Sequence, residues 1–379
     1  MISFRPNEDE ESFVDVARGL AKEKIRPVAR EIEQNGKVNQ KLVQEIRELG
    51  LLSLELTENW EGLELPLISQ VQIWQALAYG DLDTVQGLSD AGDAASFIRL
   101  IPDHPVLESF KKTIVEEGAA VSFLDLEHQL FSNLNAGNEG TEYLLNGTSE
   151  PVRSAQFADY VLIGAKDSGG ESVLLWLNKQ EHPWMAEEGD YRLGLLASGL
   201  AKIKFQNVRV SSDHVLAKGE EAEKLIKAGR TRIRILQAAK EVGLMEAALD
   251  YATEYTAGRK AFGKEIAKFQ GVSFRVAEMA METRAANHLV WEAALKADEE
   301  DESADGYSLR ALYRAHRSLR FVTDSAVQLL GGHGYVQEYP VEKWMRDAQA
   351  QVALYGREKQ MLTKRGEQLI KGEKEAAMS

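Results

Sequence analysis

Apolar positions recur with two different periods along the chain, and the switch between them divides it in three. Phe13, Val16, Ala17 and Leu20 fall at i, i+3, i+4 and i+7, the spacing of one helix face. The pattern shifts at Pro27, and Leu42, Ile46 and Leu49 open a second face that stops at Gly50. A polar turn, Thr57 to Gly62, precedes another helical stretch at about 69–80. From about 119 the period changes. Short runs such as Tyr160-Val161-Leu162-Ile163, Ser172-Val173-Leu174-Leu175-Trp176 and Ala201-Lys202-Ile203-Lys204-Phe205 are bounded by Gly, Asn, Asp and Ser, as strands are. Asn146-Gly147 and Asp167-Ser168-Gly169-Gly170 read as turns between them. Beyond about 218 helical spacing returns: Ile235, Leu236, Ala239 and Val242 begin one long face, and Val272, Val276, Met279, Ala280 and Thr283 begin another. The charged run Asp298 to Asp305 reads as an exposed loop, and a further helix runs from about 308 to Gly331-Gly332.

This order predicts an α+β multidomain protein. A helical domain over 1–118 comes first, then a middle antiparallel β domain over 119–217. A C-terminal helical bundle of four or more helices fills 218–379. Composition narrows the function classes. The formal charge of −15 repels phosphate backbones, so no nucleic-acid partner is expected. The chain has no cysteine, which removes disulfides, thiolate catalysis and cysteine metal sites. No HExxH spacing occurs, no metal is expected, and His288 and His316 read as structural or exposed. The acidic N-terminus lacks a signal-peptide pattern, and no stretch approaches a membrane span, so the expected location is cytoplasmic.

Four segments carry a family resemblance. They are Gly258-Arg259-Lys260-Ala261-Phe262-Gly263-Lys264 with Gln270; Ala326-Val327-Gln328-Leu329-Leu330-Gly331-Gly332-His333-Gly334-Tyr335; Tyr339-Pro340-Val341-Glu342-Lys343-Trp344-Met345-Arg346-Asp347; and Gly194 to Ser198 with Phe205 to Val210. In that order and spacing they resemble the acyl-CoA dehydrogenase family. Glu61-Gly62-Leu63-Glu64-Leu65 stands where that family has GGLGL. The match is best over 230–350 and poor over 85–160.

The resemblance implies an acyl-CoA dehydrogenase-like fold, FAD as cofactor and an acyl-CoA thioester as substrate. It further implies α,β-dehydrogenation with electrons passed to an electron-transferring flavoprotein, in a homodimer or homotetramer. It assigns the pyrophosphate and adenine end of FAD to Arg259, Phe262, Gln270, Gln328, Gly331 and Gly332, with Arg259 reaching the FAD of a neighbouring subunit. Physically this suits them: a guanidinium forks onto a pyrophosphate, and glycines let backbone approach a ligand. Read from the residues alone, the glycines are equally a turn between helices and Arg259 a surface cation near a helix end.

The chemical centre departs from the family. The base that takes the α-proton stands eight positions after the MRD aspartate; counting from Asp347 gives Tyr355, followed by Gly356. A minority of the family places the base before the substrate-lining arginine, which here is Arg234, preceded by Ile233. Arg234, Tyr355 and Gly356 are thus expected to meet substrate, with no acid at either position. Tyrosine titrates near pH 10 and is a poor base for a carbon acid. Glu358 is the nearest alternative acid, whereas Glu241 lies about 12 Å along the helix from Ile233. Leu124-Asp125-Leu126-Glu127 and Pro151-Val152-Arg153-Ser154 replace the family's contacts to the flavin ring. Three readings stay open: a dehydrogenase with a degenerate site, a non-catalytic paralogue or partner subunit, and a flavin-dependent monooxygenase on the same fold.

Overall fold

The structure is a computed structural model, and it describes residues 8–128, 135–139, 142–188 and 192–371. Eight helices open the chain: α1 Glu8–Leu20, α2 Ala29–Asn35, α3 Gln40–Glu48, α4 Leu67–Ala78, α5 Leu82–Gln86, α6 Ala95–Ile98, α7 Pro105–Glu108 and α8 Lys111–Val115. Asn39 caps α3 by accepting from Leu42 N, and Asp81 caps α5 by accepting from Thr84 N.

Eight strands follow: β1 Val121–Asp125, β2 Asn135–Glu139, β3 Glu142–Val152, β4 Tyr160–Lys166, β5 Ser172–Asn178, β6 Met185–Glu188, β7 Ala201–Ser211 and β8 Val215–Lys218. They form two sheets, ordered β1-β4-β5-β8 and β2-β3-β7-β6. Every pair is antiparallel except β1 with β4, which is parallel. The sheets share a core that includes Leu145, Ile163, Leu175, Ile203 and Phe205. The outer face of the first sheet, through Leu162, Leu174 and Trp176, packs on Phe97, Ile98 and Leu107. Buried on both sides, β4 and β5 are apolar without alternation.

Two turn expectations part company here. Asp167 closes the β4–β5 hairpin, its Oδ1 accepting from Gly169 N and Glu171 N, with Gly170 at φ +83°. Asn146-Gly147 makes no turn: it lies inside β3, where the pairing with β7 shifts register and Gly147 takes φ +121°. Asn-Gly favours left-handed backbone, and a bulge uses that freedom as readily as a hairpin does.

The long helices α9 Gly219–Gly258, α10 Gln270–Asp298 and α11 Ala304–Leu330 then pack together, with α12 Val341–Leu354 and α13 Glu358–Ile370 against them. Between α9 and α10 sits a two-strand ribbon, β9 Lys260–Ala261 with β10 Lys264–Glu265. Helix α4 packs on α9 and α10, so one apolar core runs from Leu42 and Val71 through Ala239 and Val290 to Val322.

A buried ionic knot fixes the junction of the layers. Lys343 Nζ lies 2.7 Å from both Asp81 and Asp347 and 3.8 Å from Asp83. Asp347 and Asp83 also accept from the backbone amides of Leu195 and Ala197, tying the end of the β layer to α5 and α12. Burial, with the neighbouring Asp347 and Asp81, pushes the Asp83 carboxyl up to about 8 against the pull of Lys343.

The run Asp298–Asp305 is not simply an exposed loop. Asp298 accepts from the amides of Leu67 and Ile68 and so caps α4 from outside, while Asp305 is buried in the first turn of α11. Glu61 and Glu64, standing where glycines are usual, keep left-handed backbone at φ +53° and +48°. For a side chain bearing Cβ that conformation costs about 1 kcal/mol or more each.

Candidate functional site

Helix α9 carries the site. At helical spacing, Arg230, Ile233, Arg234, Gln237, Lys240 and Glu241 share one face, and all are buried. An apolar stripe would be usual there. Instead each polar head has a partner from another element. Arg230 donates to Asp125 at 2.7 and 2.8 Å and to Glu127 at 3.0 Å. Arg234 donates to Asp305 at 2.6 Å. Although burial opposes ionisation, Arg234, Lys364 and Gln368 hold the Asp305 carboxyl at about 2. Gln237 donates to Asp93 at 3.0 Å, and Glu241 is sealed 2.9 Å from His316.

Arg230, Ile233 and Arg234 of this face wall a cleft of about 200 Å³ between α9, α12, the start of α13 and the end of β3. Arg234, Tyr355 and Gly356 line it together, as do Asp93, Arg153 and Ile233. The Tyr355 hydroxyl donates to Asp93 Oδ2 at 2.9 Å. Burial, and then the Asp93 charge, push the phenol well above its ordinary value near 10, so it stays protonated at neutral pH. Arg153, at the end of β3, turns inward: it donates to Gln86 Oε1 and to the Leu88 carbonyl at 3.1 Å each and stands 3.7 Å from Asp93.

Asp93 is the acid that sequence reasoning missed. It lies in the poorly matching stretch 85–160, and no local spacing marks it. Glu358, the expected alternative, pairs with Arg320 of α11 and does not line the cleft. Glu241 is held by His316 and Gln351. Behind Asp93 lies Lys240, whose Nζ is 3.5 Å from Gln86 Oε1 and sits over the Trp74 ring at 4.7 Å. Burial, then the Arg153 charge, lower it to about 7, with Asp93 opposing.

The residues expected to meet FAD lie elsewhere. Arg259 follows α9 directly, Phe262 is 94% exposed at φ +55°, Gln270 opens α10, and Gln328, Gly331 and Gly332 stand at the end of α11. All six are exposed. A hydrogen bond of 2.7 Å between Tyr255 Oη and His333 Nδ1 joins the end of α9 to the turn after α11, so the six share one end of the bundle. Gly331 takes φ +59°, and no atom lies within 4 Å of a Cβ built on Gly331 or Gly332, leaving backbone open to a ligand. From Arg234 to Arg259 is 25 residues of α9, roughly 37 Å at 1.5 Å per residue. The six therefore stand well away from this chain's own cleft.

The fit to a flavin dinucleotide is split accordingly. The bundle end offers a guanidinium, accessible glycine backbone and an exposed aromatic ring. The cleft end offers Pro151, Arg153 and the Arg230–Asp125–Glu127 ion pairs where the resemblance implies hydroxyl and amide contacts to a flavin ring.

A helical layer, a two-sheet layer and a long-helix bundle with a cleft at their junction define the acyl-CoA dehydrogenase fold. Residues 7–97 match the model of the acyl-CoA dehydrogenase N-terminal domain, and 224–369 that of the C-terminal domain. The chain is 27% identical over 362 residues to a 3-(aryl)acrylate reductase of Clostridium sporogenes, covering 92% of this chain and 94% of that protein. The solved butyryl-CoA dehydrogenase of Megasphaera elsdenii superposes with a TM-score of 0.86 at 26% identity, over 97% of this chain and all of that one. The fold is also that of a Mycobacterium smegmatis glutaryl-CoA dehydrogenase solved in complex with FADH2 (TM-score 0.83, 19% identity, 98% of this chain and 96% of that one). This chain belongs to the acyl-CoA dehydrogenase family. Among the described residues no helix is long and apolar enough to cross a membrane.

Proposed function

We propose that this chain is a complementing, non-dehydrogenating member of its family. It lends Arg259, Phe262, Gln270, Gln328, Gly331 and Gly332 to an FAD held mainly by a neighbouring subunit. Its own cleft keeps room for an acyl-CoA-type thioester against Arg234, Tyr355 and Gly356 but lacks the means to oxidise it. The observation that carries this reading is the Arg153–Asp93–Tyr355 network. Asp93, the cleft carboxylate bonded to Tyr355, also accepts from Gln237 and faces Arg153, so each of its oxygens is engaged and its charge is balanced. Exposed Phe262, Phe274, Met281 and Tyr335 around the lending residues and along α10 support association through that side of the bundle.

The test is FAD uptake by the purified chain, followed by flavin fluorescence. Weak, substoichiometric binding is expected from the chain alone. Tight binding of one FAD per chain would overturn the reading.

A second reading has one observation in its favour: Asp93 lines the cleft, as a displaced base would. On that reading the chain catalyses FAD-dependent α,β-dehydrogenation of an acyl-CoA and passes electrons to an electron-transferring flavoprotein, and Asp93→Asn abolishes turnover.

A further inference from the structure

Three metal-ligating side chains meet far from the cleft, at the edge of the first sheet. Glu181 and His182 lie in the turn after β5, and His214 ends the 3-10 turn Ser212–His214 that leads into β8. One ligand atom from each lies within 4.8 Å of the other two. The rings of His182 and His214 meet edge to face at 4.3 Å between centroids. His182 is 4% exposed, and the Nδ1 atoms of both rings are buried with no hydrogen-bond partner. A buried polar nitrogen left unmatched costs on the order of 1–3 kcal/mol, and that of His182, against a second histidine and a carboxylate, calls for an explanation.

An ion supplies one. His214 Nε2 and a Glu181 oxygen stand 3.3 Å apart. That is close to the edge of a tetrahedron with metal–ligand bonds of about 2.0–2.1 Å. Glu181 is exposed and free to swing the remaining distance. We propose that Glu181, His182 and His214 bind a divalent transition-metal ion of the zinc class, with an open fourth position toward solvent. Two imidazoles and one carboxylate are a borderline-soft donor set that prefers such an ion to magnesium or calcium. The site staples the β5 turn to β8, the strand that runs directly into α9.

The experiment uses the full chain stripped with a chelator and titrated with Zn²⁺ by calorimetry. Co²⁺ serves as an absorption probe of tetrahedral geometry. One ion per chain at micromolar affinity or better is expected, together with a rise in the thermal midpoint. His214→Ala should abolish both effects, and the surface change Glu181→Gln, which leaves the core untouched, should weaken binding at least tenfold. The proposal fails if the wild type binds no Zn²⁺, or if Glu181→Gln and His214→Ala bind it as the wild type does.

Discussion

Arg234 and Arg259 stand on and just beyond one helix, yet the two ends of α9 have been treated in opposite ways. The far end keeps the family's residues and leaves them exposed. At the cleft end, the places where the resemblance puts flavin-ring contacts and a catalytic carboxylate hold Pro151, Arg153 and Tyr355, and Arg153 and Tyr355 have found partners within the chain. On the proposed reading, the surface that meets another molecule has stayed open, whereas the polar groups of the cleft have paired with one another. On that reading, cofactor contacts and catalysis are separable in this chain, because Arg234 and Arg259 stand roughly 37 Å apart along α9.

The strongest way to break the comparison is to remove the cation that closes the cleft. Arg153→Ala leaves the largely buried Asp93 carboxylate without its guanidinium and Gln86 Oε1 without its 3.1 Å donor, and should cost about 3–5 kcal/mol in urea unfolding. A loss below about 1 kcal/mol would mean the network is not the lock described here. The next effect is set by pH. The folded value of Lys240, about 7, lies below its ordinary 10.5, so the unfolded chain binds the extra proton between those values. Stability should therefore rise as pH climbs from about 7 to 10.5, with the full cost of charging present below 7. Lys240→Met should remove that part of the pH dependence, measured as the difference between variant and wild-type stability curves. Smaller still, Glu61→Gly and Glu64→Gly should each stabilise by about 1 kcal/mol, because glycine tolerates the left-handed backbone both adopt. The smallest effect belongs to the open end. Arg259→Ala should change stability by less than about 0.5 kcal/mol while weakening FAD retention in any assembly that uses this face.

Much of the architecture was legible because it rests on local pattern. The helix–strand–helix order followed from the change of period. The cleft was half legible. Counting from Asp347 reached Tyr355, and Arg234 stood beside it as expected, but neither count could reveal what fills the space between them. Asp93, Arg153 and Tyr355 are drawn together from three layers, and no periodicity links residues so far apart. The charge run Asp298–Asp305 misled for a related reason. Sequence shows a cluster of acids, while burial of Asp305 depends on Arg234 arriving from a different helix. Asn146-Gly147 misled because a bulge and a turn ask the same thing of the backbone.

The central claim is that this chain's own cleft does not oxidise a thioester. The most direct measurement is anaerobic addition of acyl-CoA thioesters, short to long, to the chain with FAD supplied in excess. The account predicts that the yellow flavin absorbance persists with every thioester. Bleaching by any of them, lost in Asp93→Asn, would contradict it.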